Sequence, residues 1–274
     1  MPGGRLNYPP KEMRHSLSIH PSLSPRHKRA LAVLAAALAL CGLSHRALPA
    51  GMALSPAVPF GDPAAGQALA EQIRSSVPTE DSDIHGLLLI DSKAGHKEIP
   101  VDCQVLAHPG SADWQTIYQT TATNQINAER LVITHSPGKP NAYLYNGEKI
   151  APAATAIPFA SSDFSVGDLG LEFLHWPGQA ELKGEMRLGQ PCHVLLSTNS
   201  PQGGVASVKS FIDRESGGLL IAEAADTNGV LVKKFSLHGS SFKKVNGQWR
   251  LEKMDIQNEK TGSHTVLKFD MPED

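Results

Sequence analysis

From about residue 86 onward, apolar and polar side chains alternate in short runs divided by turn-forming clusters. The runs Gly86 to Ile90, Ile99 to Ala107, Trp114 to Thr121, Arg130 to His135 and Ala142 to Tyr145 are rich in β-branched, leucine and aromatic residues, which suits half-buried strands. Asp91 to Gly95, His108 to Gly110 and Ser136 to Pro140 separate them, with glycine supplying positive φ and proline fixing φ. The C-terminal half repeats the pattern in Pro191 to Ser197, Ala206 to Asp213, Leu219 to Ala225, Val230 to Leu237, Phe242 to Val245, Trp249 to Gln257 and Thr265 to Phe269. Its turns fall at Glu215 to Gly218, Asp226 to Gly229, Asn246-Gly247 and Lys260 to Gly262. Asn-Gly between alternating runs is a strong hairpin signal, because a type I′ turn needs positive φ twice. A turn every ten residues or so predicts one antiparallel sheet of eleven or twelve strands. So large a twisted sheet must curl or close.

Only two segments carry a helical period. Asp62-Pro63 offers an N-cap followed by a first-turn proline, and Ala65, Ala68, Leu69 and Ile73 form a stripe to be buried, ending at Ser75 to Pro78. Val166, Leu169, Phe173 and Trp176 form a second stripe within Ser165 to Trp176, with Asp168 and Glu172 off it and Gly167 and Gly170 softening it. Between the halves, Ile150 to Pro158 is Ala/Pro-rich and reads as extended or looped. The predicted fold class is mainly β: a curved antiparallel half-barrel of about eleven strands, with a few helices covering the concave face. The space beneath them is either filled core or a binding cavity.

The N-terminus alters which residues count. Arg26, His27, Lys28 and Arg29 precede an uncharged run from Ala30 to Leu43, then a small-residue exit near Ala50, the layout of a secretory signal peptide. That run is shorter than the roughly 20 residues of a bilayer span. Cys41 follows a bulky Leu38-Ala39-Leu40, which argues against lipidation there. The expected organisation is a signal peptide over residues 1–50, a short linker over 51–61 and one domain over 62–274. Residues 1–50 hold seven of the 25 basic and one of the 27 acidic side chains, so the remainder carries 18 against 26, a net charge of −8. That sign argues against nucleic acid as partner. Cys103 and Cys192 both lie in alternating runs. In an oxidising compartment they could bond, or they could be two buried thiols.

Motifs for chemistry are sparse. The histidines beyond residue 50 (His85, His96, His108, His135, His175, His193, His238 and His264) show no metal-ligand spacing and read as scattered surface or turn residues. There is no HExxH, no G-x-S-x-G elbow and no glycine-rich phosphate loop. Asp163 and Asp168 are explained by helix capping and first-turn charge. In Lys233-Lys234 and Lys243-Lys244, alternation turns one lysine of each pair to solvent. The residues therefore point to a non-enzyme without cofactor or metal, expected to be a monomer.

The stretch Phe159-Ala-Ser-Ser-Asp-Phe164-Ser-Val-Gly-Asp168-Leu169 resembles the F-x-x-S-D-F-S-x-x-D-L segment of bacterial outer-membrane lipoprotein-sorting proteins, the LolA-like family. Trp114 to Tyr118, Gly184-Glu185 with Gly189 and Cys192, Phe211 to Asp213, Val245 to Trp249, Met254 to Ile256 and Thr261-Gly262 agree in order. The resemblance runs from about residue 64 to the end. It implies a LolA/LolB-like half-barrel plugged by helices, and a periplasmic carrier or chaperone for lipoprotein acyl chains or another apolar ligand. Relatives of that fold also act as envelope-stress sensors or other protein-interaction modules, with an envelope protein as partner. The family's classical carrier closes its lid with an arginine on an early strand, and Gly86 to Ile90 contains none. The segment carrying Phe159, Phe164, Leu169, Phe173 and Trp176 is the expected cavity wall or lid.

Overall fold

The computed structural model describes residues 61–108, 110–124, 126–237, 241–245 and 248–270. The expected signal peptide, nearly all of the linker, Cys41, His238 and the Asn246-Gly247 turn lie outside the described residues.

Helix α1 (Pro63–Arg74) starts where the Asp62-Pro63 pair predicts, with the Asp62 carboxylate accepting from Ala64 N and Ala65 N at 2.9 and 3.0 Å. Leu69, Ala70 and Ile73 are buried, whereas Ala68, expected on that stripe, is exposed. The strands are β1 (Ser82–Ser92), β2 (Gly95–Ala107), β3 (Trp114–Thr120), β4 (Arg130–His135), β5 (Ala142–Tyr145), β6 (Glu148–Ile150), β7 (Gly178–Arg187) and β8 (Gln190–Gln202). They continue as β9 (Val205–Asp213), β10 (Leu219–Ala225), β11 (Leu231–Ser236), β12 (Phe242–Val245), β13 (Gln248–Leu251), β14 (Lys253–Asn258) and β15 (Ser263–Phe269). Thirteen form one antiparallel sheet in the order β6-β5-β4-β3-β2-β1-β15-β14-β11-β10-β9-β8-β7, while β12 and β13 form a separate hairpin between neighbours β11 and β14.

The strand count exceeds expectation for identifiable reasons. β6 is three residues long. β7, GQAELKGEMR, shows no clean alternation because it is an edge strand that buries little on either side. The predicted run Trp249 to Gln257 breaks at Glu252, whose backbone leaves the hairpin to bond Ser241 O and Phe269 N.

The order places β6 and β7 at opposite edges, so the sheet is open and residues 151–177, which join them, must cross its face. α1 lies on β7 so closely that a Cβ on Gly66 would come within 2.4 Å of Ala180 Cα. The main core sits between the sheet and these covering pieces. A smaller cluster of Cys192, Val194, Phe211 and Ile221 lies on the other face: neighbours Val194 and Leu195 on β8 belong to different clusters. The Arg187 guanidinium and Lys209 ammonium cover Phe211 there, at 4.2 and 5.0 Å from the ring centroid.

This corrects the disulfide considered above. Cys103 packs in the main core and Cys192 in the outer cluster, so they face opposite sides of the sheet, and both are free thiols. Burial raises the pKa of each.

Candidate functional site

The crossing segment is built from short pieces. After a 3-10 turn at Pro152–Ala154, Ala160 and Ser161 take positive φ of 53° and 56°, closing a tight loop in which Phe159 N donates to Phe164 O at 2.8 Å. α2 (Val166–Leu169) begins at a capping box: Asp168 N donates to Ser165 Oγ at 3.1 Å and Ser165 N to Asp168 Oδ2 at 2.7 Å. The single helix expected over Ser165 to Trp176 does not continue. Leu171 turns left-handed at φ 49°, and a 3-10 turn Glu172–His175 follows. Glu172, placed off the apolar stripe by a continuous helix, is turned inward by this break and is 6% exposed.

Gly170 is required by contact rather than by flexibility, since a Cβ there would meet Tyr143 Oη at 2.3 Å. Gly167 similarly abuts Thr155 Oγ1, at 2.8 Å from the Cβ position.

Side chains from several elements hold the segment down. On β5 and just before it, Tyr143 Oη donates to Glu172 Oε2 at 2.6 Å and Asn141 Nδ2 donates to Gly170 O at 2.8 Å. Arg74 of α1 donates to Leu174 O at 3.0 Å, so an arginine does touch the segment, although from a helix and not an early strand. Gln179 of β7 donates to Phe173 O and Trp176 O, both at 3.0 Å. On β15, Ser263 and Thr265 donate to Asp163 at 2.6 and 2.8 Å. Asp163 therefore ties the segment to the sheet, and only Asp168 caps. On β11, Lys233 Nζ reaches Asp168 Oδ2 at 2.7 Å.

Two of the cavities that border the segment adjoin each other. One, of about 40 Å³, is walled by Tyr118, Phe164, Leu169, Leu219, Met254 and Ile256 among others. The second, of about 140 Å³, has a mixed wall including Trp176, Val205, Glu172, Asn258 and Lys260. Phe173, Asp168, Lys233, Val208 and Ala224 border both and form the partition they share. Both spaces fall below the roughly 300 Å³ at which drug-sized ligand pockets begin.

Of the five residues expected on the wall, Phe164 and Leu169 line the smaller cavity, Trp176 the larger and Phe173 both. Phe159 lines neither: it is 1% exposed and sits edge-on to Tyr118 with ring centroids 6.2 Å apart. Sequence reasoning missed Lys233, Glu172 and Tyr118. Lys233 could have been found by counting two residues back from Phe235, which puts both on the same face of β11; its neighbour Lys234 approaches Glu223 at 4.0 Å.

Burial raises the Glu172 carboxyl to about 7, partly offset by the hydrogen bond from Tyr143. Two histidines expected at the surface are half-buried instead. Burial lowers His135, stacked on Trp114 at 3.9 Å, to about 3 and His175 to about 4. His85, His96, His193 and His264 each lie beside a carboxylate. Among the described residues, no group of three or more His, Cys, Asp or Glu could hold a metal ion. No described helix is long and apolar enough to cross a membrane.

Residues 115–273 match a family model described as "Uncharacterized protein". No curated protein matches the sequence. An outer membrane lipoprotein-sorting protein domain from Vibrio parahaemolyticus superposes with a TM-score of 0.61 at 17% identity, over 77% of this chain and 92% of that one. A DUF1329 family protein from Desulfovibrio piger gives 0.59 at 18% identity, over 76% and 92%. A LolA superfamily protein from Nitrosomonas europaea gives 0.50 at 16% identity, over 77% and 95%. At such identities the likeness is one of fold: the open half-barrel with a covered face.

Proposed function

Since this chain belongs to the uncharacterized-protein family matched by residues 115–273 and folds as a LolA-like half-barrel, we propose that it is a non-catalytic carrier or chaperone for an apolar, acyl-chain ligand. The expected setting is the periplasm, after export, with lipoprotein acyl chains as the first candidate cargo. The observation that carries this reading is the partition. Two adjoining spaces beneath one crossing segment share five wall residues, and Phe173 is the one aromatic side chain among them, so its displacement would enlarge the space open to a ligand. Transferring a ring of that size from apolar surroundings to water costs about 1.5–3 kcal/mol. A long acyl chain that replaces the ring's contacts can offset that cost.

A fluorescent long-chain acyl probe tests this. Wild type should bind it, and Phe173→Ala, which removes the ring that fills the ligand's place, should bind at least as tightly although its melting temperature falls. Absence of uptake by both proteins while circular dichroism shows them folded would overturn the carrier reading.

One observation favours a second reading, a protein-interaction module such as an envelope-stress sensor. Phe159 and Phe164 are packed at 1% and 2% exposure, as in a permanent core. That reading predicts no acyl ligand under any condition.

A further inference from the structure

The larger cavity is not uniformly apolar, and its polar residues gather where the partition meets the rim. Lys233 reaches from β11 to Asp168, with side chains 19% and 31% exposed. Asp168 Oδ2 also accepts from Ser165 N and Ser165 Oγ, each at 2.7 Å, so Asp168 keeps two protein donors if Lys233 turns away. Lys260 borders the same cavity, and its ammonium has no hydrogen bond or ion pair among the described residues. Its Nζ lies 3.5 Å from where a Cβ would stand on Gly204, in the glycine pair of the β8–β9 turn. On the cavity wall, the buried Trp176 Nε1–H has no acceptor among the described residues. A buried donor left without an acceptor is a standing cost, which a ligand oxygen could remove.

We propose that this rim is a headgroup site for a single-chain anionic amphiphile, whose carboxylate or phosphate takes Lys233 from Asp168 while its chain displaces the Phe173 ring. The proposal rests on the apolar-ligand reading above and adds the chemistry of the ligand's polar end. Charge complementarity selects an anion. Lys233 and Lys260 share that lining with Asp168, and the other carboxyl on that wall, Glu172, accepts from Tyr143 Oη at 2.6 Å. Burial raises Glu172 to about 7, so below neutral pH that carboxyl is mostly protonated and the two lysines outnumber the one other acidic side chain of the lining. Size selects a single chain, because the two adjoining spaces measure only about 40 and 140 Å³. The exchange also links loading to opening. The ligand binds best when Lys233 and Phe173 have moved, so it favours the open arrangement by its differential affinity for it.

Titration of the full chain with laurate, with lauryl alcohol and with acetate, read by Trp176 fluorescence and calorimetry, separates the outcomes. Laurate should bind about tenfold more tightly than the alcohol, as a charge-assisted pair at a partly buried site gives. Lys260→Ala, whose side chain is exposed, and Lys233→Met should each remove most of that preference for laurate over the alcohol. Acetate should leave Trp176 unchanged. Equal binding of laurate and the alcohol by wild type, or a preference that survives both substitutions, overturns the headgroup site while leaving the carrier reading intact. An acetate response equal to laurate's would mean a free-anion site and overturns the amphiphile. Failure of both laurate and the alcohol to bind the folded protein overturns the carrier reading itself.

Discussion

Replacing Glu172 by glutamine isolates the electrostatic cost of closing the segment. The side chain is 6% exposed and accepts one hydrogen bond, from Tyr143. Burial raises its pKa from 4.5 to about 7. A tenfold change in proton affinity is about 1.4 kcal/mol, so the ionised form is disfavoured in the closed protein by about 3 kcal/mol. The sign follows from the raised value. Below the unfolded value of 4.5 both states are protonated and no penalty operates; as pH rises through about 7 the closed state must hold a buried charge, and that stability is lost. Glutamine stays neutral and its amide oxygen can still accept from Tyr143. Glu172→Gln should therefore match wild type near pH 4 and exceed it by about 3 kcal/mol near pH 8. Urea denaturation at the two pH values measures the global effect, and amide hydrogen exchange at Gly170 and Leu174 reads the segment alone. Other titrating groups, His135 and His175 included, cancel between the two proteins. A difference between variant and wild type that does not change with pH would refute the reasoning.

The half-buried histidines should act on the acid side. His135 and His175 are lowered to about 3 and 4, so they favour the folded state above about 6.5, and that stability should be lost as pH falls towards those values. His135→Gln should flatten the acid limb of a melting-temperature profile. Gly170→Ala gains about 1 kcal/mol of helix propensity at most, yet its Cβ would meet Tyr143 Oη at 2.3 Å. The substitution should destabilise by about 1–3 kcal/mol of overpacking in urea denaturation, and should weaken the pH dependence attributed to Glu172. Cys103 and Cys192 should resist a thiol reagent in the native protein and both react in urea, with no disulfide formed under mild oxidation.

Alternation and turn chemistry made the fold legible. Twelve runs could be read because each set β-branched and aromatic residues between glycine or proline turns, and the Asp62-Pro63 cap declared α1. β7 escaped because an edge strand that buries few side chains has no reason to alternate. The site was half legible. A dense apolar stretch marked Phe164, Leu169, Phe173 and Trp176, but a helical period could not foresee the left-handed Leu171 that swings Glu172 inward. Tyr143 and Asn141 were invisible as latch residues, since they meet Glu172 and Gly170 across 29 residues of chain. The disulfide suggestion failed on parity. Period-two patterns show that a cysteine faces a core, and a two-sided sheet has two.

The central claim is that residues 151–177 close over a space that an acyl chain can enter. Native mass spectrometry of the detergent-free protein, before and after incubation with a long-chain acyl ligand, tests it most directly. The account predicts a single added mass equal to one ligand per chain, lost when the protein is unfolded and extracted with solvent. A spectrum showing only the unliganded chain in both samples, from protein that is folded by circular dichroism, would contradict it and identify the covered face as permanent core.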